Sequence, residues 1–158
     1  MKLLILVDNK NAIAKDGKQI MFVDNDLDMF KNYTTNNIIV MGRKTLDDIG
    51  RQLPNRISVV FTRSEKEDKE DLFYIDSVEK LDKIIETYPD KEVFVIGGAE
   101  IVKLLWDRID ELIVTRVDTV VEGAETFIPD FDGFKLIDKS KIEDESYRVY
   151  HEKWVREK

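Results

Sequence analysis

The sequence predicts an α/β fold: a mostly parallel sheet with helices on both faces, three layers in all, and an antiparallel hairpin strand supplied by the C-terminal part. Three observations carry this. Short β-rich apolar runs alternate with stretches of helical spacing from Leu3 to Trp106, the rhythm of βαβ units. From Leu112 onward the runs follow one another with no long helix between them, as in a hairpin added to a sheet edge. Glycine, hydroxyl and basic residues gather where several of the apolar runs stop.

The elements follow in order. Leu3–Val7, Ile38–Met41, Ile57–Phe61, Leu72–Ile75 and Val93–Ile96 have strand length and composition. Between them, the segments around Asp26–Tyr33, Thr45–Ile49, Val78–Tyr88 and Ala99–Trp106 space their apolar residues as helices do. Leu112–Val117, Phe134–Ile137 and Tyr147–Trp154 are the late strands. The charged run SEKEDKED, Ser64 to Asp71, reads as a solvated loop.

Composition narrows the chemistry. A chain of 158 residues is of single-domain size, so residues 1–158 are read as one domain. No apolar run approaches the length of a membrane span and no signal segment is evident, so a cytoplasmic protein without membrane partners is expected. There is no cysteine and one histidine, His151, which leaves no set of ligands for zinc and no imidazole for a serine triad beyond a strand histidine. No metal is expected. A net charge of −8 argues against nucleic acid as a partner, so any phosphate must be held by a local basic cluster.

Ligands of open parallel sheets bind beyond the carboxyl ends of the strands. Here those ends read Met41-Gly42-Arg43-Lys44-Thr45, Phe61-Thr62-Arg63-Ser64 and Gly97-Gly98. Helix-start N–H groups, cationic side chains, hydroxyls and glycines that admit a close approach are what an extended anion needs. A glycine pair alone is also an ordinary tight turn. Three such ends on one edge point to a nucleotide.

These residues also carry a resemblance. With Asp26-Leu27-x-x-Phe30, Met41-Gly42-Arg43-x-Thr45, Ile49-Gly50-Arg51-x-Leu53-Pro54-x-Arg56, Gly97-Gly98 and Thr126-x-Ile128-Pro129, the chain resembles bacterial dihydrofolate reductases from Leu3 to Tyr147. The resemblance implies an eight-stranded sheet, NADPH as cofactor, 7,8-dihydrofolate as substrate and antifolate inhibitors as ligands, in a monomer. It implies hydride transfer to C6 with protonation at N5. Two rivals are a related reductase of a ribosylated pyrimidine and a phosphoacceptor signalling domain. The second would need an aspartate and a lysine where the chain has Thr62-Arg63 and Gly97-Gly98.

The resemblance also assigns roles. Asp26, assisted by Thr115 and covered by Met21, would be the catalytic acid; on local sequence Asp24-Asn25-Asp26 reads equally as a helix cap, a task Asp24 can take. Thr115 by itself reads as a β-former. Ile5, Leu6, Leu27, Phe30, Ile49 and Leu53 would surround the substrate, and Arg56 would clamp its glutamate carboxylate, although Ile49 and Leu53 also suit a core and Arg56 a surface. The backbone of Ile13 and Ala14, with Leu6, would meet the nicotinamide. Arg43, Thr62, Arg63 and Ser64 would hold the 2′-phosphate. Gly42, Lys44 and Thr45, with Ile96, Gly97, Gly98, Ala99, Glu100 and Ile101, would hold the pyrophosphate and its surroundings, Lys44 reading equally as solvated. A cis Gly97–Gly98 bond is expected. Departures fall at Leu6, Ala14, Met21, Val102 and Ala124, where a small residue, glycine, tryptophan, tyrosine and an acid are usual. They imply altered loop closure, a reshaped pterin pocket and weak binding of diaminopyrimidine inhibitors.

Overall fold

The computed structural model describes residues 1–21 and 23–158; Phe22 and the side chain of Asp24 lie outside the described residues. The strands β1 (Lys2–Val7), β4 (Ile38–Gly42), β5 (Ile57–Phe61), β6 (Leu72–Ile75), β7 (Val93–Gly97), β8 (Glu111–Val117), β10 (Phe134–Ile142) and β11 (Val149–Arg156) form one sheet in the order β10-β11-β8-β1-β7-β4-β5-β6. Every pairing from β8 to β6 is parallel, and β11 is antiparallel to both β8 and β10. The expected eight-stranded, mostly parallel sheet with a C-terminal hairpin is therefore present. Its central strands read as continuous apolar runs because both faces are covered.

Two helices cover each face. On one side α1 (Asp24–Thr34) and α2 (Arg43–Ile49) place Phe30, Tyr33, Leu46 and Ile49 against Leu4, Ile39, Met41, Val60, Phe94 and Ile113. On the other, α3 (Val78–Thr87) and α4 (Ala99–Leu105) pack Leu81, Val102 and Leu105 against Leu3, Val7, Val40, Val95 and Val114. Ser77 caps α3 by accepting from the Lys80 N–H at 3.3 Å. The expected cap of α1 is different. Asp24 is already the first helical residue and the cap position is Val23, whose backbone is extended and whose side chain cannot bond.

A second, three-stranded sheet, β2 (Ala12–Lys15), β3 (Lys18–Gln19) and β9 (Thr126–Phe127), was not foreseen. Its strands are two to four residues long and largely exposed, too short and too polar for a period of two to register. It ties the segment after β1 to the segment after β8. Among the described residues, no helix is long and apolar enough to cross a membrane.

Chain order builds a crevice. From β1 the chain crosses to β4 and lays β5 and β6 outward, then returns to insert β7 between β1 and β4 before β8 to β11 extend the opposite side. The carboxyl ends of β1, β7, β4 and β5 thus lie on one edge, with Gly97 opposite Met41 and Gly42 opposite Phe61. Phe94, fully buried in mid-sheet with its ring centroid 6.1 Å from that of Tyr33, anchors α1 over this crevice. Phe94→Ala is expected to cost about 3–5 kcal/mol in denaturant unfolding, the usual range for removing a buried aromatic ring.

Candidate active site

Asp26 lies in the first turns of α1, facing β8. The Thr115 hydroxyl donates to its Oδ1 at 2.5 Å, a contact between residues 89 apart in sequence. Burial raises the Asp26 carboxyl above the ordinary aspartate range, and the Thr115 hydrogen bond and the neighbouring His151 offset part of that rise. Phe30, one turn on, shares the helix face, while Leu27 turns outward with 68% of its surface exposed. A large apolar side chain so exposed beside a half-buried acid is a surface suited to an apolar ligand.

Arg56 closes the far end of this half of the crevice. It is buried, and burial followed by the nearby Arg51 lowers its pKa. Its Nε donates to Thr34 Oγ1 at 3.0 Å and Nη1 to the Pro54 carbonyl at 2.8 Å, while its guanidinium carbon lies 5.8 Å from the Phe30 ring centroid. Nη2 has no partner among the described residues, so donors remain for an incoming carboxylate. Thr34, itself fully buried and donating to the Phe30 carbonyl, fixes the guanidinium plane. Nothing local marks Thr34 as different from any helix-end threonine. Ile49 and Leu53 are half-buried and pack in the same cluster as Phe30.

The other half of the crevice is a cradle around Gly42, Thr45 and the glycine pair. The Gly97–Gly98 bond is cis, and Gly97 has φ +129°, a conformation that favours glycine. A Cβ on Gly97 or Gly98 would lie 3.7 or 3.8 Å from Thr45 Oγ1, and one on Gly42 would lie 3.2 Å from Ile101 Cγ1. Side chains at these three positions would fill the space over the ends of β4 and β7, so the donor set and the room fit a pyrophosphate. Gly98 also caps α4, where Ala99, exposed Glu100 and Ile101 follow; Ile96, half-buried, precedes the pair. Arg43 donates from Nε to Asp47 at 3.1 Å, which orients its guanidinium at the start of α2. Thr62 accepts from the Ser64 N–H at 3.2 Å, and Arg63 and Ser64 are exposed beside it. Lys44 is engaged elsewhere: its ammonium donates to the Gly17 carbonyl at 2.6 Å and pairs with Asp48.

The segment after β1 lies between the two halves. Leu6 and Met21, both buried, pack with Val23, Val117 and Val149, so two of the departures fill one small cluster together. Val102 is apart from them, fully buried in the cluster under α3 and α4. The Ile13 carbonyl accepts from Ile20 and the Ala14 carbonyl from Glu125, so both backbones are fixed by the small sheet. Next to Ala124, Glu125 accepts from the Gly17 N–H at 2.9 Å, so an acidic side chain does tie these two loops. Asp8 was also unforeseen. Its buried carboxylate accepts from the N–H groups of Lys10, Ala12 and Val121 at 2.8–2.9 Å and so ties the segment after β1 to the segment after β8. A groove of about 500 Å³ on the opposite face, lined by Asn9, Arg116, Lys139 and Tyr150, lies away from Asp26; its Arg116 is paired with Glu152.

A half-buried acid at one end of a crevice and a glycine cradle at the other define a nucleotide-binding protein of the α/β class. The model of the family described as dihydrofolate reductase matches residues 1–156, and the chain belongs to that family. Among its relatives are dihydrofolate reductases of Staphylococcus haemolyticus, 32% identical over 92% of this chain and 87% of that protein, and of Bacillus subtilis, 34% identical over 85% and 79%. The structure of Enterococcus faecalis dihydrofolate reductase complexed with NADP(H) and RAB-propyl superposes with a TM-score of 0.85 at 30% identity, over 99% of this chain and 96% of that one.

Gly97→Ala forces a side chain into a left-handed conformation, at a cost of about 1–3 kcal/mol. It is expected to raise the Kd for NADPH in a fluorescence titration by about tenfold or more, since roughly 1.4 kcal/mol is a factor of ten, and to alter dihydrofolate binding less.

Proposed function

We infer that the chain reduces 7,8-dihydrofolate to 5,6,7,8-tetrahydrofolate with NADPH, as a single-domain monomer, and that Asp26 is the acid of the reaction. The observation that carries this is the half-buried Asp26 carboxyl held by Thr115 beside the exposed Leu27 and the Phe30 ring, one crevice away from the glycine cradle. NADPH, when bound, supplies the hydride that C6 accepts.

The residues of the chain supply alignment, exclusion of water and a proton. Asp26 hydrogen-bonds the pterin amino group and ring N–H and, with its raised pKa, eases proton delivery to N5 near neutral pH. Thr115 keeps its carboxyl plane in register with the pterin. Leu27, Phe30, Ile49 and Leu53 enclose the apolar middle of the substrate, with Leu6 at the floor and Met21 over the nicotinamide side. The Ile5 side chain, expected beside Leu6, packs on the α3–α4 side of the sheet instead, because side chains alternate along β1. Arg56 takes the glutamate carboxylate with its remaining donors, a task that favours a folate over a ribosylated pyrimidine. Thr45 and the Gly97–Gly98 N–H groups meet the pyrophosphate. Arg43, Thr62, Arg63 and Ser64 meet the 2′-phosphate, which makes NADPH the preferred cofactor. The pterin pocket also admits antifolate inhibitors, with Leu6 reducing its depth for diaminopyrimidines.

Loss of absorbance at 340 nm on mixing protein, NADPH and dihydrofolate tests the reading, with NADH as the weaker comparison; no loss with either refutes it. Asp26→Asn is expected to cut turnover at pH 7 by about 10²-fold or more, the scale of positioned acid–base catalysis, and to recover partly in acid. The same change is expected to raise Tm at pH 7. A carboxyl whose pKa is raised by folding disfavours the fold once it is ionised, and this penalty disappears as pH falls below the unfolded value, so the gain in Tm shrinks toward pH 4. Arg56→Lys is expected to raise KM for dihydrofolate at least tenfold with a smaller change in kcat, since a hydrogen bond to a charged group is worth about 1.5–3 kcal/mol.

A further inference from the structure

The one histidine of the chain stands next to the acid. His151 is paired directly with Thr115 across the antiparallel β8–β11 ladder, so both side chains rise from the same face of the sheet. On the helix above, Asp26 and Tyr33 are seven residues apart and share a face. Asp26 meets Thr115 at 2.5 Å, and Tyr33 meets His151: their ring centroids are 6.0 Å apart, their planes differ by 27°, and the phenol oxygen is 3.5 Å from Nε2. Two helix positions thus sit on two paired strand positions, with the carboxyl and the imidazole at neighbouring corners.

We propose that His151, held by Tyr33 beside Thr115, is a positioning residue that sets the pH at which Asp26 takes up its proton. The inference rests on Asp26 being the acid of the reaction. A cationic imidazole favours the carboxylate form of Asp26, and the carboxylate favours the cation; the coupling acts equally on both groups. The directions agree. Burial raises Asp26 and His151 opposes that rise, while burial and then Lys153 lower the imidazole, against Asp138, Asp26 and Glu152. Lys153 lies two residues along β11 on the same face, its Nζ 5.8 Å from the Tyr33 ring centroid. Asp138 faces Lys153 from β10, and the uncharged Ser140 faces His151. Glu152 points to the opposite face of the sheet, where it pairs with Arg116. Of these groups only Asp26 belongs to the reaction site.

Because there is a single histidine, its imidazole signal in an NMR titration of the full chain needs no assignment. Asp26→Asn is expected to move the His151 midpoint to lower pH, since the anion that favours the imidazolium is gone; an unmoved midpoint overturns the proposal. His151→Phe keeps an aromatic ring for Tyr33 to pack on, and His151→Gln serves if the phenylalanine variant does not fold. Either is expected to shift the midpoint of the pH profile of single-turnover hydride transfer to higher pH, and an unshifted profile overturns the proposal too. If Asp26→Asn itself keeps the wild-type profile, the assignment of Asp26 as the acid falls instead, whatever the histidine does.

Discussion

A carboxyl group held in a largely apolar crevice by a single hydroxyl is the contact on which the site turns. The Thr115–Asp26 hydrogen bond joins the first helix to a strand residue 89 positions later, and with the Tyr33–His151 contact it adds polar pairing to an interface in which Phe30, Tyr33, Phe94 and Ile113 pack. Burial works against the ionised carboxyl, and one hydroxyl offsets only part of that cost. The balance leaves an acid poised above its ordinary range, the poise that the proposed proton delivery near neutral pH calls for.

The remaining polar contacts of the crevice share this economy. Arg56 is fixed through Thr34 and the Pro54 carbonyl, so its orientation is decided before any substrate arrives, which reduces the entropy lost on binding. Asp8 gathers three backbone N–H groups from two separate loops, and Glu125 and Lys44 grip the Gly17 peptide from its two sides. Lys44 lies next to Arg43 and Thr45 on α2. The loop that holds Gly17 is thereby tied to α2, the helix that starts at the glycine cradle.

Much of the scaffold was legible because its signals are periodic and strong. The buried strands β1, β4, β5 and β7 are almost wholly apolar, with Ser58 the polar residue inside β5, and α3 carries its apolar residues on one face behind a serine cap. Glycines at the ends of β4 and β7 marked the cradle, since a close approach to backbone demands a missing Cβ. The small sheet was not legible, because strands of only two to four residues are too short to show a period. Thr34 and Asp8 were missed for a related reason: each acts through partners distant in sequence or through backbone groups, and neither leaves a trace in spacing.

The sequence by itself determined the class of fold and the family, since these rest on local period and on motifs within one segment. Tertiary structure alone decided which side chains meet: that Thr115 reaches Asp26, that His151 stands beside them, and that Glu125 and Lys44 both reach Gly17. Hydrogen bonds act over about 3 Å, and which atoms come within that reach depends on sheet order and strand register, which no window of neighbouring residues contains.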